Sequence, residues 1–352
     1  MKVKNNKKEF VETLGLVDLQ VNGFGGVDFN SIGLTPKKLQ KSLEAILATG
    51  VLTFLPTIIT ESEKHLKICL SNLEYCRKAL PLAELMIAGY HLEGPFISKL
   101  RGFSGCHTIQ HICEVDQEMF SRLQEAAGGN ILMVTLAPEV RGSISFIEKL
   151  TREGILVALG HTNASNEVIR KATEAGASLS THLGNGTSSK LFKNNNPIIS
   201  QLSEDKLSAS FIADSYHIPP EVLKVYLKAK GRSRVILITD ATAASSAMPG
   251  RYKFGNIELL LGADPVIFDK ETKRPLGSAI TMDQCVRNII DWYNLSFSDA
   301  IRWAGANPRE LLRKSKKFSE SEKKKEKKIW WEEENGWYVK KIQCGNFIYS
   351  NS

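Results

Sequence analysis

Short apolar runs and longer amphipathic stretches alternate along the chain from about residue 14 to residue 240. Runs of this length, rich in Val, Ile and Leu, read as parallel strands buried on both faces, with crossover helices between them. They fall at 14–21, 51–58, 85–92, 131–136, 155–160, 177–182, 208–213 and 234–239. Eight such units in about 225 residues predict an α/β fold, a (β/α)8 barrel.

Local signals place the helices. Thr35-Pro36 supplies a cap and a first-turn proline, and Gly50 follows the end of that helix. Thr60-Glu61-Ser62-Glu63 reads as a capping box for a helix through Tyr75. Ser165 caps 166–175 with Gly176 beyond, and Gly154 closes 146–153. Two further helices are expected at about 281–294 and 297–306, the second broken at Asn307-Pro308.

Beyond these the pattern changes. Residues 314–328 are a low-complexity Ser/Lys/Glu stretch, followed by strand-like 329–331, 336–339 and 347–349. Glu334-Asn335-Gly336 suits the turn of a hairpin. The predicted organisation is a basic arm over 1–13, a catalytic barrel over 14–312, a Lys-rich connector over 313–328 and a small, truncated β appendage over 329–352.

Composition changes this picture little. The chain has 352 residues and a formal net charge of +8, with 42% hydrophobic and 24% charged residues. Eight lysines between 314 and 328 account for the excess, so it reads as a solvated connector and makes nucleic acid an unlikely partner. No run of 18 apolar residues suggests a membrane span, and the basic N-terminus lacks the apolar stretch of a signal peptide. The six cysteines include no C-x-x-C pair and read as reduced thiols, which points to the cytoplasm. Cys106, His107, His111 and Cys113 lie close together, but their spacing is poor for a zinc knuckle.

The chemistry sits where apolar runs end. Glu93 closes the third run, His161 the fifth and His182 the sixth. In such a barrel, active-site residues project from the carboxyl ends of strands. A Glu and two His on neighbouring strand tips form an open site for one divalent metal, zinc in the first instance, with Fe2+, Co2+ or Mn2+ also suited. Such a metal lowers the pKa of a water it holds towards about 7. Asp240, at the end of the eighth run, is placed to move that water's proton. Asp18, Gln20 and Asn22 end the first run, His91 lies two residues before Glu93, and His217 follows the seventh run. One such residue is ordinarily a cap or a packed histidine; polar groups at the same end of so many strands have no packing reason. The pattern points to metal-assisted hydrolysis.

Six stretches carry a resemblance. They are Gly15–Gly23 (GLVDLQVNG), His91–Phe96 (HLEGPF), Leu159–Ala164 (LGHTNA), Thr181–Asn185 (THLGN), Thr239–Ala243 (TDATA) and Gly277–Asp283 (GSAITMD). In this order, over about 15–312, the chain resembles the N-acetylglucosamine-6-phosphate deacetylase family of the amidohydrolase superfamily. The resemblance implies removal of the N-acetyl group from N-acetylglucosamine-6-phosphate, with Glu93, His161 and His182 as metal ligands and Asp240 as the catalytic acid and base. It implies His107 and His217 near the substrate, with His217 aiding the acetamide carbonyl. It also implies that Asn185, Gly186 and the amides around them lie near the sugar phosphate. Many amidohydrolases hold two metals through a His-x-His pair on the first strand. Gln20 and Asn22 stand there instead, as vestigial second-metal positions, so one ion is expected.

Two departures are visible. Leu183–Ser200 contains no arginine for the phosphate; Lys190 and Lys193 are its only cations, with Lys193 taken as the substrate contact. Few residues precede the first strand, where the family has a larger β domain. The resemblance further implies a homodimer, in which a neighbouring subunit completes the phosphate pocket. Two alternatives are an amidohydrolase acting on a different N-acyl sugar or small amide, and a non-catalytic sugar-phosphate sensor. A carboxylated lysine bridging two metals would favour the former, but no lysine stands at a strand end. The intact Asp240 argues against the latter.

Overall fold

The computed structural model describes residues 10–262, 267–268, 276–315, 318 and 326–350. The arm expected over 1–13 lies outside them up to residue 9, and the connector over 313–328 lies largely outside them. Phe10–Leu14 is not part of an arm. It forms a strand, β1, ahead of the barrel.

The barrel strands are β2 (Leu16–Val21), β3 (Val51–Ile59), β4 (Tyr90–Glu93), β5 (Ile131–Leu136), β6 (Leu156–Leu159), β7 (Leu179–Ser180), β8 (Ser208–Ile212) and β9 (Val235–Ile238). All neighbours pair in parallel and in sequence order. Nearly every strand residue is buried, as expected when helices cover the outside and side chains fill the inside. The first and last strands meet at a seam. There Val21 bridges Ala241, Asn22 N–H donates to Ala241 O at 2.8 Å, and Thr239 Oγ1 donates to Asp18 Oδ2 at 2.6 Å. Asp18 therefore serves closure. Burial pushes its carboxyl up to about 7, against the pull of Thr239 and two backbone amides.

The helices follow the caps with two corrections. Thr35 Oγ1 accepts from Lys38 N–H ahead of α1 (Pro36–Ala48). The second cap is Ser62, which accepts from His65 N–H ahead of α2 (Glu63–Ala79); Thr60 turns inward to the site instead. The run 85–88, expected to open the third strand, instead begins as helix. Pro81 starts α3 (Pro81–Met86) at its first turn, Met86 packs inward, and the strand begins only at Tyr90. A short apolar run does not by itself distinguish the two. Helices α4 (Gln117–Ala126), α5 (Ser143–Arg152), α6 (Asn166–Glu174), α7 (Pro197–Ser203) and α8 (Pro220–Lys230) complete the wheel. A hairpin at Gly250–Phe254 and Ile257–Leu261 follows the eighth strand.

Asn307-Pro308 does not break the chain's path. After α9 (Met282–Tyr293) and α10 (Phe297–Ile301), a π turn over Arg302–Ala306 leads directly into α11 (Asn307–Leu312). Asn307 N–H bonds Arg302 O, five residues back. The wider turn makes room for a ring that would clash in a regular helix.

The appendage is a four-stranded antiparallel sheet in the order β1–β10–β11–β12, with β10 at Lys327–Glu333, β11 at Trp337–Cys344 and β12 at Phe347–Ser350. The expected turn joins β10 and β11, with Asn335 and Gly336 at positive φ. Two lysines expected in the solvated run belong to β10. Lys327 is buried and donates to Thr53 Oγ1 at 2.6 Å, and Lys328 pairs with Glu12 at 3.0 Å. Trp331 is fully buried in the barrel's own core, with its Nε1 on Thr13 Oγ1 and its ring edge-on to Phe297. Phe297 also stacks on Trp337 at 3.8 Å. Among the described residues, no helix is long and apolar enough to cross a membrane.

A sheet that shares the barrel's core should unfold with it. Trp331→Ala is expected to lower unfolding free energy by about 3–5 kcal/mol in urea titration. A loss below about 1 kcal/mol would mean that the sheet merely rests on the surface.

Candidate metal centre and active site

Glu93 is the last residue of β4, His161 follows β6 by two residues, and His182 follows β7 by two. All three are buried, and one ligand atom from each lies within 4.8 Å of the others. Glu93 Oε1 is 2.9 Å from His182 Nε2 and 3.2 Å from His161 Nε2. Burial alone would raise the Glu93 carboxyl, but the two imidazoles hold it well below the usual range. Burial would likewise lower His182, yet Glu93 raises it.

The donor set fits a divalent cation. His161 Nδ1 lies 2.8 Å from the Phe103 carbonyl oxygen, which fixes the proton there and leaves Nε2 to ligate. Two glycines give this ring its place. A Cβ on Gly186, itself at φ 57°, would fall 2.6 Å from His161 Nδ1, and one on Gly105 would fall 2.8 Å from its Cε1. The Nδ1 of His182 and the Oδ1 of Asn22 are buried without a hydrogen-bond partner. His161, His182 and Asp240 all have positive φ, at 51°, 29° and 50°. Non-glycine residues held there cost on the order of 1–3 kcal/mol each, and such strain gathers at working sites.

The other expected residues divide in two. Gln20 Nε2 donates to Glu93 Oε2 at 3.1 Å, and Asn22 Nδ2 donates to Asp240 Oδ1 at 2.7 Å. The two amides thus brace Glu93 and Asp240. Crowding by protein raises the Asp240 carboxyl; His182 opposes this, and Glu93 adds to it. His107 is buried and stays neutral, pushed down to about 3 by burial and then by His161. Its Nδ1 accepts from Thr60 N–H at 3.3 Å, so its proton is on Nε2, 3.3 Å from His161 Nε2. His217 Nδ1 donates to Asp214 Oδ2 at 2.6 Å.

Asn185 donates to the carbonyl of His182 at 3.1 Å. Lys193 is exposed and lies farther out, in a groove of about 230 Å3 with Asn166, Arg170, Asn196 and Ser200. The Cys106–Cys113 segment forms no cluster of its own: His111 pairs with Glu61 at 2.8 Å, and among the described residues only the Glu93 group gathers metal-binding side chains.

Sequence reasoning missed the partners that aim these rings: Thr60, the Phe103 carbonyl and Asp214. Only Asp214 left a signal, an acid three residues before His217. His91 proves to be interior support. It bridges Thr57 and Thr135, Thr135 meets Thr181, and burial pushes His91 down to about 4.

No family model matches the chain. Over 307 residues it is 31% identical to the N-acetylglucosamine-6-phosphate deacetylase of Bacillus subtilis (strain 168), covering 85% of this chain and 74% of that one. The Bos taurus enzyme of the same name is 32% identical, covering 86% and 75%. The chain belongs to the N-acetylglucosamine-6-phosphate deacetylase family. It is thus an amidohydrolase, acting on an amide C–N bond. Among solved structures, a Mycobacterium smegmatis N-acetyl-D-glucosamine-6-phosphate deacetylase mutant in complex with N-acetyl-D-glucosamine-6-phosphate matches with a TM-score of 0.83 and 26% identity, covering 95% of this chain and 85% of that one. A dihydroorotase matches in fold alone, with a TM-score of 0.53 at 10% identity.

The deacetylase site makes Gly186 a sensitive position. Gly186→Ala is expected to leave the circular dichroism spectrum intact while weakening metal affinity by about 10- to 100-fold, through displacement of the His161 ring. Unchanged affinity by competition with a chelator would show that the loop yields without moving the ring.

Proposed function

We propose that this protein hydrolyses N-acetylglucosamine-6-phosphate to glucosamine-6-phosphate and acetate, with one divalent ion per chain, zinc in the first instance. The observation that carries this reading is the placement of Asp240. His182 and Glu93 both act on its charge, and Asn22 braces it at 2.7 Å. A non-catalytic sensor has no use for a proton-transfer carboxylate at a metal centre.

A divalent metal held by Glu93, His161 and His182 supplies Lewis-acid activation of water and of the acyl oxygen. Asp240 takes the proton from the attacking water and returns it to the leaving nitrogen. Its raised carboxyl suits both steps, since an acid that is too strong returns a proton poorly. His217 meets the acyl carbonyl, and His107 binds a sugar hydroxyl through Nε2. Gln20 and Asn22 favour a single ion, because carboxamides stand where a second metal site would need imidazoles, and their NH2 groups brace Glu93 and Asp240 instead.

The phosphate falls to Lys193 and the amides around Asn185 and Gly186. Lys193 faces outward, beside Phe192, which is 83% exposed. That arrangement supports a homodimer in which this loop reaches the partner's sugar. A lysine contact of this kind is worth roughly 1–2 kcal/mol. A cytoplasmic setting accords with six scattered cysteines that include no C-x-x-C pair.

The test is acetate release from N-acetylglucosamine and N-acetylgalactosamine, each with and without a 6-phosphate. The 6-phosphate of N-acetylglucosamine is expected to give the highest kcat/KM, with Lys193→Ala costing about tenfold on phosphorylated sugars only. Equal values for phosphorylated and plain sugars would reject the phosphate assignment. Asp240→Asn is expected to retain one ion per chain by elemental analysis and to lose on the order of 10²–10⁴ in kcat. Near-normal turnover with bound metal would assign the proton transfer elsewhere.

A further inference from the structure

The loop after β8 holds a carboxylate that the reaction scheme above leaves unused. Asp214 and His217 are both nearly buried, with side-chain exposures of 8% and 6%. Asp214 Oδ1 accepts from the backbone N–H groups of Tyr216 and His217, both at 2.9 Å. Its Oδ2 takes the His217 ring at Nδ1, at 2.6 Å. Between them Ser215 has φ 68°, so the chain turns sharply and brings the two side chains face to face. Among the described residues, neither lysine nor arginine is hydrogen-bonded to this carboxylate; its partners there are two amides and one imidazole. They hold its carboxyl below the ordinary range even though burial alone would raise it.

Two consequences follow from the donor geometry. A carboxylate on Nδ1 fixes the proton there, so the nitrogen left to meet a substrate is Nε2. The ring also cannot rotate about its bonds without breaking a short, charge-assisted contact. His217 also lies near enough to Asp240 to act on it electrostatically, lowering that carboxyl.

We propose that Asp214 is a positioning residue for the hydrolysis. It locks the orientation of His217 so that Nε2 points at the acyl group of the bound substrate, and its negative charge favours the doubly protonated ring, the form in which Nε2–H can donate to the carbonyl oxygen as that oxygen becomes negative. This rests on the deacetylase reading for the identity of the acyl group; the lock itself does not.

Asp214→Asn separates the lock from the turn. The amide oxygen still accepts from the two backbone N–H groups, whereas its NH2 presents a donor to Nδ1. The ring must then accept at Nδ1 and carry its proton on Nε2. In the metal-loaded protein, 15N-histidine NMR is expected to show the His217 ring protonated on both nitrogens in the wild type and on Nε2 alone in the variant, with melting temperature and metal content near wild type. Turnover of N-acetylglucosamine-6-phosphate is expected to fall by about 10²-fold in kcat with little change in KM. In a His217→Asn background the same substitution should cost nothing further, since its only route of action is gone.

The same ring protonation in wild type and variant would overturn the lock. An equal loss of kcat in the His217→Asn background would overturn the route through His217. A fall in melting temperature with kcat preserved would reduce Asp214 to a structural turn residue and overturn the proposal. Were the wild type inactive on every N-acetyl sugar, the deacetylase reading would fail while the NMR result still decided the lock.

Discussion

A carboxylate cannot stay ionised inside a barrel mouth unless other groups compensate its charge. Glu93 is almost wholly buried, and His161, His182 and Gln20 all turn to it. Much of the site depends on meeting that charge. Two imidazoles within 3.2 Å of one oxygen define a place for a cation, which compensates the carboxylate better than protons on the rings. The groups behind them then have fixed duties: the Phe103 carbonyl orients His161, Thr60 orients His107, and Asn22 ties Asp240 to the first strand.

The backbone bears part of the cost. Positive φ at His161, His182 and Asp240 re-aims side chains that would otherwise continue the alternation of a strand. Such conformations persist only where the surroundings over-determine them. Here the barrel does so, through strands buried on both faces and a seam closed by Asp18 and Thr239. The appended sheet extends the same core, with Trp331 and Ile329 packed into it and Lys327 reaching Thr53.

Much of this was legible in the chain. Strands of a parallel barrel are apolar without alternation, so eight runs stood out, and a polar residue at the end of a run is conspicuous. Glu93, His161 and His182 were visible for that reason, and the structure brings them together. The run at 85–88 misled because apolar content alone does not separate a helix end from a strand. Asn307-Pro308 misled because a π turn is a backbone solution with no composition of its own. Lys327 was read with its solvated neighbours, although the pairing of β10 with β1 and β11 carries it under the barrel. The partners of the site were hidden for a different reason. Thr60 and the Phe103 carbonyl lie far along the chain from the rings they hold, and only folding brings them into contact.

The central claim is that Glu93, His161 and His182 hold one divalent cation while Gln20 and Asn22 hold none. Anomalous scattering at the zinc edge, from crystals of zinc-loaded protein, tests it most directly. The account predicts a single strong peak at coordination distance from Glu93 and from an imidazole nitrogen of both His161 and His182. A second peak of similar height beside Gln20 and Asn22, or a single peak away from Glu93, would contradict it.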